Sequence, residues 1–266
     1  MPIRSHVVEE GPGRGRGHTD HGNGKGKGHD KHAADAMSDG VYTLGISNVS
    51  HVNHTAANST MPLELLADGS LANTEARNGE IRTVAGPAGG DGNGALLLQT
   101  DNGNGRLRFN DAYSPEQYLN LGELDDLSFK YYVDTSDRTD VIPVIRLTID
   151  ADGDVATTND RGELVFEYAY QGFGPVVQDQ WQTADLAGGD WVAWQRSFGV
   201  NRDQIANMTE LSDWADADGY TPAGGLHFDQ NSLILGWSIA LGSGNGTNTT
   251  YIDDLQVGGV TYDFMV

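Results

Sequence analysis

The chain contains no cysteine, so no disulfide can brace it and no thiolate can hold zinc. It has no apolar run near the ~18 residues of a membrane helix, which argues against insertion as a helical span. The opening Met1-Pro2-Ile3-Arg4-Ser5-His6 lacks the apolar stretch of a Sec signal peptide. Positive charge is also scarce: 16 Lys plus Arg stand against 38 Asp plus Glu, a formal charge of −22. The first forty residues hold six of each sign, so the whole acidic excess lies in residues 41–266. A surface of that sign repels nucleic acid and anionic membranes, and it suits divalent cations or high salt.

Apolar residues are nearly absent from residues 1–40, where Gly alternates with Arg, Lys, His and Asp. Such a segment cannot bury enough surface to offset its ordering entropy, which predicts a disordered tail. Its His18/His21 and His29/His32 pairs could hold a transition metal weakly, but a plain linker is the favoured reading. From Val41 onward, short runs of Val, Ile, Leu, Thr, Tyr and Phe alternate with Gly, Asn and Asp clusters. Strands are expected at 41–49, 80–84, 95–100, 105–109, 126–133, 142–149, 163–170, 191–198, 232–241, 250–257 and 260–264. Many short strands at this spacing predict an all-β fold, a jelly-roll β-sandwich over residues 41–266. One short helix is expected at 201–214, where Ile205, Met208, Leu211 and Trp214 share a face.

The most informative stretch joins two strand patterns through an acidic loop that places Asp150, Asp152 and Asp154 at every second position. Carboxylates converging in this way repel one another unless a hard cation such as Ca2+ joins them. The loop glycine, Gly153, is the fourth residue and not the sixth, and Arg161 stands where an EF-hand needs its bidentate Glu, so the motif belongs to a β-hairpin and not to a helix–loop–helix. A solvated acidic hairpin loop is the competing reading.

Several segments, taken in order, resemble a known module. They are Leu164-Val165-Phe166-Glu167, Trp181-Gln182-Thr183-Ala184-Asp185, Trp191, Leu233-Ile234-Leu235-Gly236-Trp237, Tyr251-Ile252-Asp253-Asp254-Leu255 and Val260-Thr261-Tyr262-Asp263-Phe264. The module is a concanavalin-like, jelly-roll β-sandwich of secreted bacterial surface and adhesin-type proteins, and the likeness covers roughly residues 95–266. It implies a jelly-roll sandwich, an extracellular or cell-surface location and a non-catalytic role. Residues 1–40 and 50–90 have no counterpart in it.

Catalysis has little support in the residues. Glu163 and Glu167 share one strand face but stand about 13 Å apart along it, farther than a retaining glycosidase pair. His227 is the only histidine after His54 and has no nucleophile elbow beside it. Sugar-binding sandwiches present aromatic rings to a pyranose face. Trp181, Trp191, Trp194, Trp214, Tyr168, Tyr170 and Phe173 are the candidates, with Trp194, Trp214 and Tyr170 taken as the platform. Trp191 and Trp194 differ by an odd number, so one is expected inside and the other exposed. Residues 41–50 alternate well and could close their own sheet or be donated to a second copy, giving self-association.

The expectation is therefore a secreted, non-catalytic sandwich, stabilised by Ca2+. It would act in surface attachment or an extracellular matrix, with a polysaccharide or another matrix protein as partner. A carbohydrate-binding module and a sandwich glycosidase or lyase are the alternatives.

Overall fold

A computed structural model describes residues 59–62, 74–92, 94–188, 190–197 and 208–264. All of them lie in the unit Asp39–Val266. The expected tail at 1–40, the strand at 41–49 with its possible exchange, and the first part of the expected helix fall outside the described residues.

Alternation builds the strands. In Leu127–Ser136, Leu127, Phe129, Tyr131 and Val133 point inward while Ser128, Lys130 and Tyr132 point outward. Numbered in chain order, the strands are β1 (Ser59–Pro62), β2 (Thr74–Arg77), β3 (Gly79–Val84), β4 (Ala95–Thr100), β5 (Arg106–Ala112) and β6 (Leu119–Asn120). They continue with β7 (Leu127–Ser136), β8 (Val144–Asp150), β9 (Arg161–Phe166), β10 (Trp181–Asp185), β11 (Val192–Ser197), β12 (Thr209–Glu210), β13 (Leu233–Leu241), β14 (Asn248–Val257) and β15 (Val260–Asp263).

Two sheets form a β-sandwich. The seven-stranded sheet holds β1, β3, β4, β7, β10, β14 and β15, and β14 pairs with β4, β7 and β15. The eight-stranded sheet runs β12-β11-β9-β8-β13-β5-β2, with β6 on β13. Pairings are antiparallel except β1 with β15, which is parallel. The core lies between the sheets. Leu96, Leu98, Phe129 and Ile252 from one meet Phe109, Leu147, Leu164, Trp237 and Ile239 from the other, all buried.

The expected strands from 80 onward form, with altered ends. The strand at 163–170 stops at Phe166, and Tyr168–Tyr170 is a 3-10 turn. Within the described part of the expected helix only α1 (Leu211–Trp214) is helical, because Thr209 and Glu210 pair with Ala193 and Val192 instead. A β-branched residue beside an open strand edge gains more from pairing than from a first helical turn.

Candidate functional site

The acidic loop connects β8 to β9, and its two ends, Asp150 and Arg161, stand opposite each other. Asp150 is fully buried. Its Oδ2 accepts a hydrogen bond from Arg161 Nε at 3.1 Å, whereas its Oδ1 is buried with no hydrogen-bond partner. Burial pushes the Asp150 carboxyl above its ordinary range, against the pull of Arg161.

The rest of the loop is ordered by its own side chains. The Asp154 amide donates to Asp152 Oδ1 at 2.8 Å, and the Asp152 amide donates to Asp160 Oδ2 at 3.1 Å. Thr157 Oγ1 donates to Asp160 Oδ1 at 3.0 Å. Burial opposes charge on Asp160, but these donors hold its carboxyl below the ordinary value. Gly153 takes φ +73°, the left-handed turn that lets the loop double back. Ser232 Oγ, beside the start of β13, anchors the loop by donating to the Ala151 carbonyl at 2.9 Å.

One carboxylate oxygen from each of Asp150, Asp152 and Asp160 lies within 4.8 Å of the others. That spacing fits opposite sides of a Ca2+ whose oxygens sit at about 2.3–2.6 Å. Asp160 joins this cluster where the spacing expects Asp154, whose Oδ1 accepts from the Ala156 amide in a local turn. Asp160 sits at the far end of the loop, so every-second-residue spacing could not reveal it. A second trio, Asp91, Asp253 and Asp254, is as close, but Lys130 Nζ already donates to Asp254 Oδ2 at 2.5 Å.

The outer face of the eight-stranded sheet is the other feature. Sixteen Lys and Arg, less the six in residues 1–40, leave ten in the acidic remainder. Six of those ten share this face: Arg77 on β2, Arg106 and Arg108 on β5, Arg146 on β8, Arg161 on β9 and Arg196 on β11. Glu163 lies among them, with Arg108 Nη2 at 2.7 Å, Arg146 Nη1 at 3.3 Å and Arg196 Nη1 at 3.7 Å. Burial disfavours the Glu163 charge, yet Arg146 and Arg108 hold its carboxyl below the usual range. Glu167 has no such cage, and burial raises it.

The aromatic platform is not formed by the residues expected. Trp214 is fully buried against Tyr220 and Phe228. Trp194 is buried with Val144 and Val165, and only half-buried Tyr170 and Met208 flank that cluster. Trp191 is buried with Tyr168, so neither it nor Trp194 is the exposed partner predicted. The reason is coverage: a strand's outer face can be roofed by neighbouring turns, which alternation does not show. Half-buried Trp181, Tyr132 and Tyr251 instead form a cross-strand row on the seven-stranded sheet.

Fold and loop together define an antiparallel two-sheet β-sandwich with a candidate cation site. No family model matches the chain, and no curated protein does. Among solved structures, one described as the structural analysis of an exo-β-agarase is similar at 12% identity and a TM-score of 0.35. The match covers 73% of this chain and 24% of that one, so the chain spans about a quarter of its neighbour.

Proposed function

We propose that the protein is a non-catalytic, secreted β-sandwich that binds Ca2+ through Asp150, Asp152 and Asp160 and attaches to a cell surface or extracellular matrix. The observation that carries the reading is Asp150: a fully buried carboxylate with one oxygen lacking any hydrogen bond, facing two further carboxylates. A buried charge is costly unless paired, and a divalent cation would supply the missing partner. A loop with three carboxylates and a nearby arginine suits the weak, millimolar affinities of extracellular calcium modules. The non-catalytic part rests on Glu163, which three guanidinium groups engage and which is thereby unsuited to act as acid or nucleophile.

Thermal unfolding with and without millimolar Ca2+ tests the reading. Binding to the native state alone adds about 2.7 kcal/mol at a hundredfold excess over Kd. Tm should rise by several degrees, Asp150→Asn and Asp160→Asn should remove the rise, and Asp154→Asn should keep it. A Tm that ignores Ca2+ in low-salt buffer sinks the proposal.

Carbohydrate binding is the second reading, and the Trp181–Tyr132–Tyr251 row favours it. The rings meet at 60° and 79°, edge to face, so each ring would have to stack on a sugar separately. Quenching of tryptophan fluorescence by neutral oligosaccharides, lost in Trp181→Ala, would support it.

A further inference from the structure

We propose that the outer face of the eight-stranded sheet binds an anionic polysaccharide, whose carboxylate or sulfate groups are received along Arg77, Arg106, Arg146 and Arg196. The inference rests on the attachment reading above and names the class of material attached to.

Distribution is the first argument. The remainder of the chain carries ten basic and thirty-two acidic residues, once six of each sign in residues 1–40 are set aside from 16 and 38. An even scatter would leave no face where cations outnumber acids, yet six of the ten share this one, against the acidic Glu75, Asp150, Glu163 and Glu210. Register is the second. Arg77 stands directly opposite Arg106, an arrangement that destabilises a sheet unless something anionic lies across it. From that corner the arginines run diagonally through Arg108 and Arg146 to Arg196, over six strands. At about 4.8 Å per strand the stripe is roughly 24 Å long, the footprint of an extended chain and not of one small anion.

The middle of the stripe shows unmet hydrogen-bonding capacity. Arg146 Nε and Ser238 Oγ are buried with no hydrogen-bond partner, and they stand on paired residues of β8 and β13. The outward positions of β13 are Gly236, Ser238 and Ala240, so small side chains leave room above the sheet there. Guanidinium forks match carboxylate and sulfate oxygens two at a time, which suits a repeating acidic sugar. Half-buried Tyr170 and Met208 at the far end add apolar contact for a sugar ring.

The test measures binding of the full chain to polygalacturonate and dextran sulfate, with neutral dextran and polyglutamate as controls, in Ca2+ and in EDTA. Wild type should bind one or both anionic glycans and neither control. The rim double variant Arg77→Gln/Arg106→Gln should weaken that binding about tenfold or more, on the scale of a lost charge-assisted hydrogen bond. Arg82→Gln, on the other sheet, should bind as wild type. Arg146→Gln should also weaken binding, and the rim variant guards against misfolding of that half-buried site. Equal binding of neutral dextran, or of polyglutamate, overturns the proposal. So does anionic binding that survives both arginine variants, including binding present only with Ca2+, which would mean bridging at the acidic loop. The Ca2+ shift in Tm should be unchanged in the rim variant. Loss of that shift with glycan binding intact would remove the metal reading alone.

Discussion

Arg108 Nη2 donates to Glu163 Oε1 at 2.7 Å although β13 and β8 lie between their strands. Only 6% of the arginine side chain and 2% of the glutamate are exposed. A contact that spans four strands ties their relative positions together. Replacing Glu163 with Gln would leave buried guanidinium groups without their shared carboxylate, a change that costs about 3–5 kcal/mol. Urea unfolding should show that loss, and a change under about 1 kcal/mol would show the cage to be dispensable.

The same carboxylate sets an acid limit. Its folded value lies below the ordinary 4.5, so its contribution is complete above that pH and fades as pH falls through the folded value. Wild type should therefore destabilise on acidification below about pH 4.5, and Glu163→Gln should show a shallower acid slope.

Asp111 acts in the opposite direction. Burial raises it from 3.8 to about 6, although Tyr262 hydrogen-bonds to it. The fold prefers its protonated form, so this contribution is full below the unfolded value and falls as pH rises from about 4 to about 6. Asp111→Asn should flatten that segment of the stability–pH curve and stabilise the protein at pH 7, on the order of 2 kcal/mol. A stability curve indistinguishable from wild type across this window would refute the assignment.

Gly236 resumes the pairing of β13 with β8 just after a bulge and holds φ +151°. A Cβ there would run into the Asp111 carbonyl on β5. Gly236→Ala should cost 1–3 kcal/mol or more, by the usual penalty of overpacking (about that range), and should lower Tm without altering the Ca2+ response.

Trp214 packs edge-on to Tyr220 at 4.8 Å between ring centres and is fully buried. Trp214→Ala should cost about 3–5 kcal/mol, a core penalty. A Trp214→Phe protein that folds should bind any glycan as wild type does. Selective loss of sugar binding in that variant would restore Trp214 to the platform first expected.

Sandwich architecture was legible because alternation writes itself into strands such as Leu127–Ser136 and because turn residues mark their ends. Local acidic spacing does not show that Asp160 lies beside Asp150 and Asp152, because it reaches them only where the loop folds back through Gly153. The arginine face was invisible for a related reason. Arg77, Arg108, Arg146 and Arg196 come from four separate strands, and only pairing register shows that they are neighbours. Short strands such as Thr74–Arg77 and Thr209–Glu210 carry too little periodicity to be told from loop. Burial of Trp194 and Trp214 depends on what covers a strand from outside, which one strand's own pattern does not encode.

The central position of β13 and β14 governs when the molecule can be assembled. β13 joins β8 to β5, and β14 joins β7 to β4, so each sheet is two separate halves until its late strand arrives. On a ribosome, strands from β3 to β11 would emerge long before Leu233–Leu241 and Asn248–Val257 could close them. Folding then waits for the last part of the chain, and pairings this distant in sequence are slow to form. The waiting halves expose apolar edges that favour association with other nascent chains. The chain therefore stays open and threadable until β13 and β14 are made.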